Sequence, residues 1–362
     1  MTTIAPVDAP GQIRVAGGVD THSDTHTAAV VDAAGRSLGH RQFPTTAAGY
    51  RQLLAWLRTF GTLLVVGVEG TGVYGAGLAR HLAAEGVAMV EVDRPDRKAR
   101  RFAGKSDPLD AEAAARAALA GVRTGIPKQR DGQVEALRNL RVARRSAVDQ
   151  RADCQRRIKA LIVTAPESLR AQLRGLTDAR LIATCAALRP DLARIDEPEQ
   201  AAKRALRSLA RRHQALTEET DELDALIAPL VAVINPALMA CTGVGADVAG
   251  QLLVTAGENA DRLHSEPAFA MLCGVAPIPA SSGKTHRHRL NRGGDRQANA
   301  ALYRVVLCRM RWDPRTRAYV ERRTKEGLSK KDIIRCLKRM IARELYYVLR
   351  PAQPAEEPVL AA

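Results

Sequence analysis

Residues 14–32, RVAGGVDTHSDTHTAAVVD, decide the class of fold, because they are rich in the β-branched and small side chains that favour strands. The turn-forming residues Ala33-Ala34-Gly35-Arg36 follow, and SLGHRQF then predicts a returning strand. Residues 63–70, LLVVGVEG, form a continuous apolar run of a length typical of a buried strand. The N-terminal region therefore opens with hairpin strands and continues with a buried strand.

Helical patterns alternate with strands beyond the hairpin. Leucines recur at helical spacing between Ala47 and Thr59, which predicts an amphipathic helix there. We expect a helix over 71–85, a strand over 87–92 and an alanine-rich helix from Asp107 to Leu119. This order predicts an α/β layer fold with a mixed sheet, and we assign it to a first domain at 14–125.

The next region, residues 126–234, is predicted to be almost entirely helical. Leucines repeat every seven residues, and a second set of residues lies three positions before them, which gives the a/d seam of a coiled coil over four heptads. The seam is compatible with an antiparallel hairpin inside one chain and with a coiled coil between chains. Its members are Leu206, Leu209, His213, Leu216, Thr220, Leu223, Ile227 and Leu230.

Positive charge is concentrated near the C-terminus. The formal net charge is +16, and residues 284–350 hold 20 of the 55 Lys and Arg residues but only 6 of the 39 Asp and Glu residues. Such an excess indicates a polyanionic partner such as nucleic acid. We predict a mainly α-helical C-terminal domain at 235–349 and a disordered Pro/Ala/Glu tail at 350–362.

Other compositional features exclude several classes of protein. No Cys-x-x-Cys pair occurs among the six cysteines, which disfavours a zinc ribbon or a thioredoxin-type site. The N-terminus lacks a signal-peptide pattern, and no run of 18 apolar residues is present. We therefore expect a cytoplasmic protein with no membrane partner.

Four carboxylates suggest a metal site. Asp20 and Glu69 end predicted strands, where buried acids are costly unless a cation or partner offsets their charge. Asp107 and Asp110 lie three residues apart at the start of a helix and so share one face. Taken singly, each acid has a structural explanation as a strand end or helix cap, but four hard oxygen donors in this order suit Mg²⁺, or alternatively Mn²⁺.

Two histidines compete with this set. Strand alternation would place Asp20, His22, Asp24 and His26 on one face, but we prefer the carboxylates as ligands. The order of the four acids resembles the RNase H-like fold of the Holliday-junction resolvase RuvC.

A second group of reactive residues lies near the C-terminus, in CGVAPIPASSGK at 273–284. Pro277 and Pro279 interrupt regular structure, so Ser282 is predicted to lie on a loop. A serine beside cations can attack a phosphodiester, whereas a flexible turn in a nucleic-acid-binding loop is the structural alternative. The predicted nucleic-acid-binding residues are Lys284, Arg287, Arg289, Arg292 and Arg296.

The ordered acids, the helical middle region, the GVAPIPASSGK loop and the RGGDR turn together resemble the DEDD-type insertion-sequence transposases, the bridge-RNA-guided recombinases of bacterial mobile elements. The resemblance implies that Asp20, Glu69, Asp107 and Asp110 bind the metal and that Ser282 is the nucleophile, with Ser281 as the neighbouring alternative. It also implies strand transfer between donor and target DNA through a phosphoserine, a structured guide RNA, and a homo-oligomer, either a dimer or a tetramer.

Two other functions remain open. One is a RuvC-like, structure-specific DNA nuclease that uses water as the nucleophile. The other is a non-enzymatic, helical nucleic-acid-binding protein whose acids only cap structural elements. A covalent protein–DNA species separates the transposase from the nuclease, and metal-dependent activity on DNA separates both enzymes from the binding protein.

Overall fold

The structure, a computed structural model, describes residues 13–92, 106–259, 262–284 and 288–350. The chain divides into two compact units. The first unit contains Met1–Gly132 and Gly257–His264, and the second contains Gln133–Ala256 and Ser265–Ala362. The predicted tail at 350–362 falls outside the described residues from position 351 onward.

The first unit is built on a mixed sheet of six strands among the residues described, in the order β3-β2-β1-β4-β5-β6. Strands β1, β2 and β3 are antiparallel, β4 and β5 run parallel to β1, and β6 is antiparallel to β5. This confirms the predicted mixed sheet and agrees with an RNase H-like arrangement. The strands are β1 (Arg14–Thr21), β2 (Thr25–Asp32), β3 (Ser37–Pro44), β4 (Thr62–Glu69), β5 (Met89–Val92) and β6 (Thr124–Gly125).

Helices cover both faces of this sheet. Helices α1 (Ala47–Arg58) and α2 (Ala76–Ala84) contribute leucines to a core with alternate residues of the central strands, such as Val19 and Val68. Helix α3 (Asp107–Ala120) covers the opposite face, where Ala115 packs with Ala16. The strand period of two thus sends successive side chains into two different cores.

Helix α3 approaches the sheet unusually closely because glycines face it. A Cβ at Gly18 would lie 2.8 Å from the Cα of Ala115, closer than real Cβ contacts allow. A Cβ at Gly67 on β4 would lie 2.5 Å from the carbonyl oxygen of Ala114 and 2.9 Å from the Cβ of Ala118. The glycines on the strands and the alanines on the helix therefore fix how closely α3 packs on the sheet.

The second unit begins with two long helices, α4 (Gln133–Thr164) and α7 (Pro198–Ile234), joined through α5 (Glu167–Leu173) and α6 (Asp178–Ala187). Ala147 and Cys154 of α4 cluster with Leu216, whereas Ile158, further along α4, clusters with Leu206. Because later residues of α4 meet earlier residues of α7, the two helices form an antiparallel hairpin. The predicted leucine seam thus packs within the chain, and the intermolecular coiled coil remains a prediction.

The rest of the second unit is mainly helical, as predicted. A short antiparallel pair, β7 (Ile278–Pro279) and β8 (His288–Arg289), projects from it. Within the described residues, no helix has the length and apolar character needed to cross a membrane. The remaining helices are α8 (Pro236–Met239), α9 (Ala246–Ala256), α10 (Glu266–Leu272), α11 (Arg296–Trp312), α12 (Pro314–Lys325) and α13 (Lys330–Leu349).

Candidate functional site

Asp20 and Glu69 lie on the same face of the sheet, at the carboxyl ends of neighbouring parallel strands. The last paired residues of β1 and β4 are Val19 and Val68, and each acid follows one of them directly. Gly18 and Gly67 face α3, so alternation places the acids two residues later on that face as well. The two predicted strand-end ligands are therefore neighbours.

The two aspartates of the predicted set occupy the first turn of α3. Ser106 precedes the helix in an extended conformation, and Pro108 follows Asp107 in the first turn, where its missing N–H costs no helical hydrogen bond. Asp110 is only 5% exposed, and its backbone N–H donates to the carbonyl of Ser106 at 3.0 Å. The close seat of α3 on the glycines thus brings its acidic N-terminus to the strand ends.

Three side chains converge tightly at this point. His22 Nε2 lies 3.4 Å from Asp20 Oδ2 and 3.5 Å from Asp107 Oδ1. Ligand atoms of these three residues all lie within 4.8 Å of one another, the only such group of three or more among the residues described. Glu69 lies on the same face of the sheet as Asp20, and Asp110 lies in the same helical turn as Asp107, but neither belongs to this group of three.

Electrostatics in the cluster favour a cation. The pKa of Asp20 is raised from its ordinary value, chiefly because burial disfavours its charged form, with Asp107 and Asp110 adding repulsion and His22 opposing the rise. The side chain of Asp20 is 13% exposed. Largely buried carboxylates that repel one another are the environment in which a bound divalent cation is stabilising.

The structure adds His22 to the site and removes His26 from it. Strand β1 ends at Thr21, and His22 lies in the connection to β2, where its backbone N–H donates to Thr25 at 3.1 Å. His26 is fully buried on β2 and stacks on Tyr50 of α1, on the other face of the sheet. The predicted single strand carrying Asp20, His22, Asp24 and His26 on one face is therefore wrong, because the chain reverses after Thr21.

The donor set fits a divalent cation. Carboxylate oxygens of Asp20 and Asp107 suit the hard ion Mg²⁺, and an imidazole nitrogen from His22 extends the set toward transition metals such as Mn²⁺. Glu69 and Asp110 supply further carboxylates beside the group.

The serine of the second unit lies on the connection between β7 and β8. Ser282 is exposed, and Gly283 adopts the left-handed region with φ of +54°. Because L side chains rarely adopt that conformation, glycine permits the turn next to the hydroxyl. The predicted contact residue Arg287 lies outside the described residues.

The cations beside the serine are available to a ligand. Lys284, Arg289, Arg292 and Arg296 are all exposed. None of the last three forms an ion pair with another residue that the structure describes. Asp295 caps α11 by accepting hydrogen bonds from the backbone of Gln297 and Ala298.

Comparisons with known proteins match both regions. Residues 17–165 match the IS110-type DEDD family model, described as "Transposase", and residues 235–321 match the model described as "Transposase IS116/IS110/IS902 family". The two matches contain the acids and the serine, respectively, and together cover more than half of the chain.

Two curated relatives come from insertion elements. The "uncharacterized 43.6 kDa protein" of insertion element IS110 from Streptomyces coelicolor is 32% identical over 146 residues, which are 40% of this chain and 36% of the relative. The "uncharacterized 42 kDa protein" of insertion element IS900 from Mycobacterium paratuberculosis is 27% identical over 155 residues, 42% of this chain and 39% of the relative. The chain thus spans less than half the length of the curated relatives it matches.

Proposed function

The chain belongs to the IS110-type DEDD transposase family, and on that premise we propose that it cleaves and rejoins DNA strands in the movement of an insertion sequence. The observation that carries the proposal is the convergence of Asp20, Asp107 and His22 at the carboxyl end of β1, with Glu69 and Asp110 on the same face. Acids that only cap a helix or end a strand would have no reason to converge on one point. Donor and target DNA are the proposed substrates.

The acids are proposed to hold Mg²⁺, with Mn²⁺ as the alternative. When bound, such ions neutralise phosphate charge and make an oxygen nucleophile more reactive. Asp20 and Glu69 position the site from the sheet, and Asp107 and Asp110 position it from α3. The close packing of α3 on Gly18 holds the donors of the helix near the donors of the sheet.

Ser282 is proposed as the nucleophile. Its Oγ attacks the phosphorus, the bond from phosphorus to the leaving sugar oxygen breaks, and the hydroxyl proton ends on that leaving oxygen. Arg289 and Arg292 offset the negative charge that develops on the phosphoryl oxygens. A free hydroxyl of the partner strand then attacks the phosphoserine and releases Ser282, so the phosphodiester energy is retained and no ATP is needed.

Two partners come from the family resemblance. A structured guide RNA would select the target by base pairing, as in other guided effectors. A homo-oligomer, either a dimer or a tetramer, would bring several copies of the acids and the serine together. The basic character of residues 284–350 is compatible with both nucleic acids.

The proposed metal site is tested by four isosteric variants, Asp20→Asn, Glu69→Gln, Asp107→Asn and Asp110→Asn. Each should lower DNA cleavage by at least about a hundredfold, since metal stabilisation of phosphoryl charge contributes several kcal/mol. Calorimetric titration with Mn²⁺ should show a parallel loss of affinity.

Asp24→Asn is the matched control, because Asp24 is an exposed acid in the β1–β2 connection, bonded to the neighbouring Ser23. It should retain both cleavage and metal affinity. Full cleavage activity in two or more of the four variants would remove the metal-site assignment, whereas the absence of any metal-dependent cleavage by the unmodified protein would favour a DNA-binding protein without enzymatic activity.

A further inference from the structure

A cavity of about 440 Å³ lies at the base of the hairpin that carries Ser282. Its walls come from residues 274–277 before β7, residues 288–291 at and after β8, and the helices α12 and α13. The volume falls in the range of roughly 300–1,000 Å³ that is typical of small-molecule sites. All of these residues belong to the second unit.

The cavity contains a cation without an acidic partner. Lys338 of α13 is half-buried, and its Nζ donates to the amide oxygen of Asn299 at 2.8 Å, yet it forms no ion pair with any residue the structure describes. Burial lowers its pKa, with nearby Arg335 adding to the effect. Partial burial of an ammonium whose partner is only a neutral amide is costly, and an anionic ligand would offset that cost.

Asn299 ties this cation to the hairpin. Its side-chain nitrogen donates to the carbonyl oxygens of Cys273 and Gly274, at 3.0 Å each, where the chain enters the hairpin. The same amide accepts from Lys338, so one side chain fixes the ammonium relative to the hairpin base. The cation is thus built into the site that presents Ser282.

The one acid among the residues that line the cavity is Asp332, and it pairs with Arg335 at 2.7 Å. Glu266, which lies outside the lining, pairs with Arg339, so neither acid neutralises Lys338. Leu290 and Met340 are 53% and 52% exposed, and both line the cavity. Apolar walls beside an unpaired cation are complementary to a planar base carrying a phosphate.

We propose that this cavity holds an unpaired nucleotide of the DNA strand on which Ser282 acts. Its phosphate contacts Lys338 and Arg289, and its base lies against Leu290 and Met340. The inference rests on the proposed function for the identity of the strand. It adds a specificity-determining site, because the size and polarity of the cavity would favour particular bases beside the cleaved phosphodiester.

The test measures binding without chemistry. The Ser282→Ala protein in EDTA is titrated with a 15-nucleotide single-stranded DNA carrying 2-aminopurine, with the corresponding RNA, and with the DNA duplex. Lys338→Gln, made in the same background, should raise the Kd for single-stranded DNA about tenfold, because the neutral amide loses the charge-assisted hydrogen bond to the phosphate. It should also reduce the fluorescence change of 2-aminopurine and leave duplex affinity within about twofold of its starting value.

Lys331→Gln is the matched control, since Lys331 is an exposed lysine on the same helix that does not line the cavity. It should change each Kd by less than about twofold. Met340→Trp, which fills the cavity at a half-exposed position, should weaken single-stranded DNA binding and leave the urea unfolding midpoint unchanged.

An unchanged Kd in Lys338→Gln, or an equal loss for single strand and duplex, would overturn the nucleotide site. Tighter binding of RNA than of single-stranded DNA, with the same dependence on Lys338, would overturn the assignment to the cleaved DNA strand. Because no arm requires metal or Ser282, these outcomes are independent of whether the proposed strand-transfer reaction is correct.

Discussion

The α carbon of Ala115 lies where a side chain on Gly18 would have to go, with only 2.8 Å between it and a Cβ built at that glycine. This contact seats α3 on β1, and Asp107 and Asp110 lie at the N-terminus of the same helix. The metal site therefore depends on a residue that has no side chain to contribute to it.

Gly18→Ala should lower the free energy of unfolding by about 1–3 kcal/mol, because the added methyl overpacks a contact made by backbone atoms. It should also weaken Mn²⁺ binding, since α3 must move away from Asp20. Urea denaturation and calorimetric titration measure the two effects. Gly39→Ala on β3 is the control, because its Cβ would meet Phe60 at an ordinary 3.5 Å, and it should change neither quantity.

His22→Ala should reduce Mn²⁺ affinity by about tenfold or more and Mg²⁺ affinity less, because imidazole nitrogen is a better ligand for transition metals. The measurement is a pair of titrations at constant pH and ionic strength. Equal losses for the two ions would mean that His22 only supports the carboxylates, and no loss would place it outside the site.

The strand ends were predictable from sequence because a strand has a fixed period and an acid after an apolar run is conspicuous. That pattern predicts the positions of Asp20 and Glu69. It does not predict the close approach of α3 at Gly18 and Gly67, since that approach depends on which helix packs on this face of the sheet. The sequence does not mark His22 as a ligand, because the chain reversal after Thr21 contains no glycine or proline to indicate a turn there.

The cavity at the hairpin base cannot be predicted from local sequence patterns, for a different reason. Lys338 and Asn299 are far apart in sequence and meet only through the packing of α11 and α13. By contrast, the leucine seam predicted a helical contact correctly in position. It could not indicate whether the partner helix belongs to the same chain, because the a/d pattern is the same in both cases.

Replacing three exposed arginines, Arg289, Arg292 and Arg296, by alanine should flatten the salt dependence of DNA binding. Each lost phosphate contact should lower the slope of log K against log salt by about one. Filter binding across a series of salt concentrations gives the slope. The control removes three exposed arginines of α7, Arg204, Arg211 and Arg212, and a similar fall there would show that the effect is only net charge.

Leu216→Ala should lower the free energy of unfolding by about 2–5 kcal/mol, because Leu216 is buried against Ala147 and Cys154 within the chain. Leu226→Ala, on the same helix but 59% exposed, should have little effect on stability. For both variants, urea denaturation measures the free energy of unfolding and sedimentation velocity measures the oligomeric state. If Leu216→Ala dissociated an oligomer without destabilising the fold, the seam would be intermolecular.

The most direct measurement of the central claim is mass spectrometry of a denatured reaction on a suicide DNA substrate with Mg²⁺. We expect DNA linked to Ser282 in the wild type and no linked DNA in Ser282→Ala or Asp107→Asn. Linkage to Ser281 would move the nucleophile by one residue and preserve the mechanism. Cleavage without any linked DNA, by both the wild type and Ser282→Ala, would contradict the serine mechanism and establish water as the nucleophile.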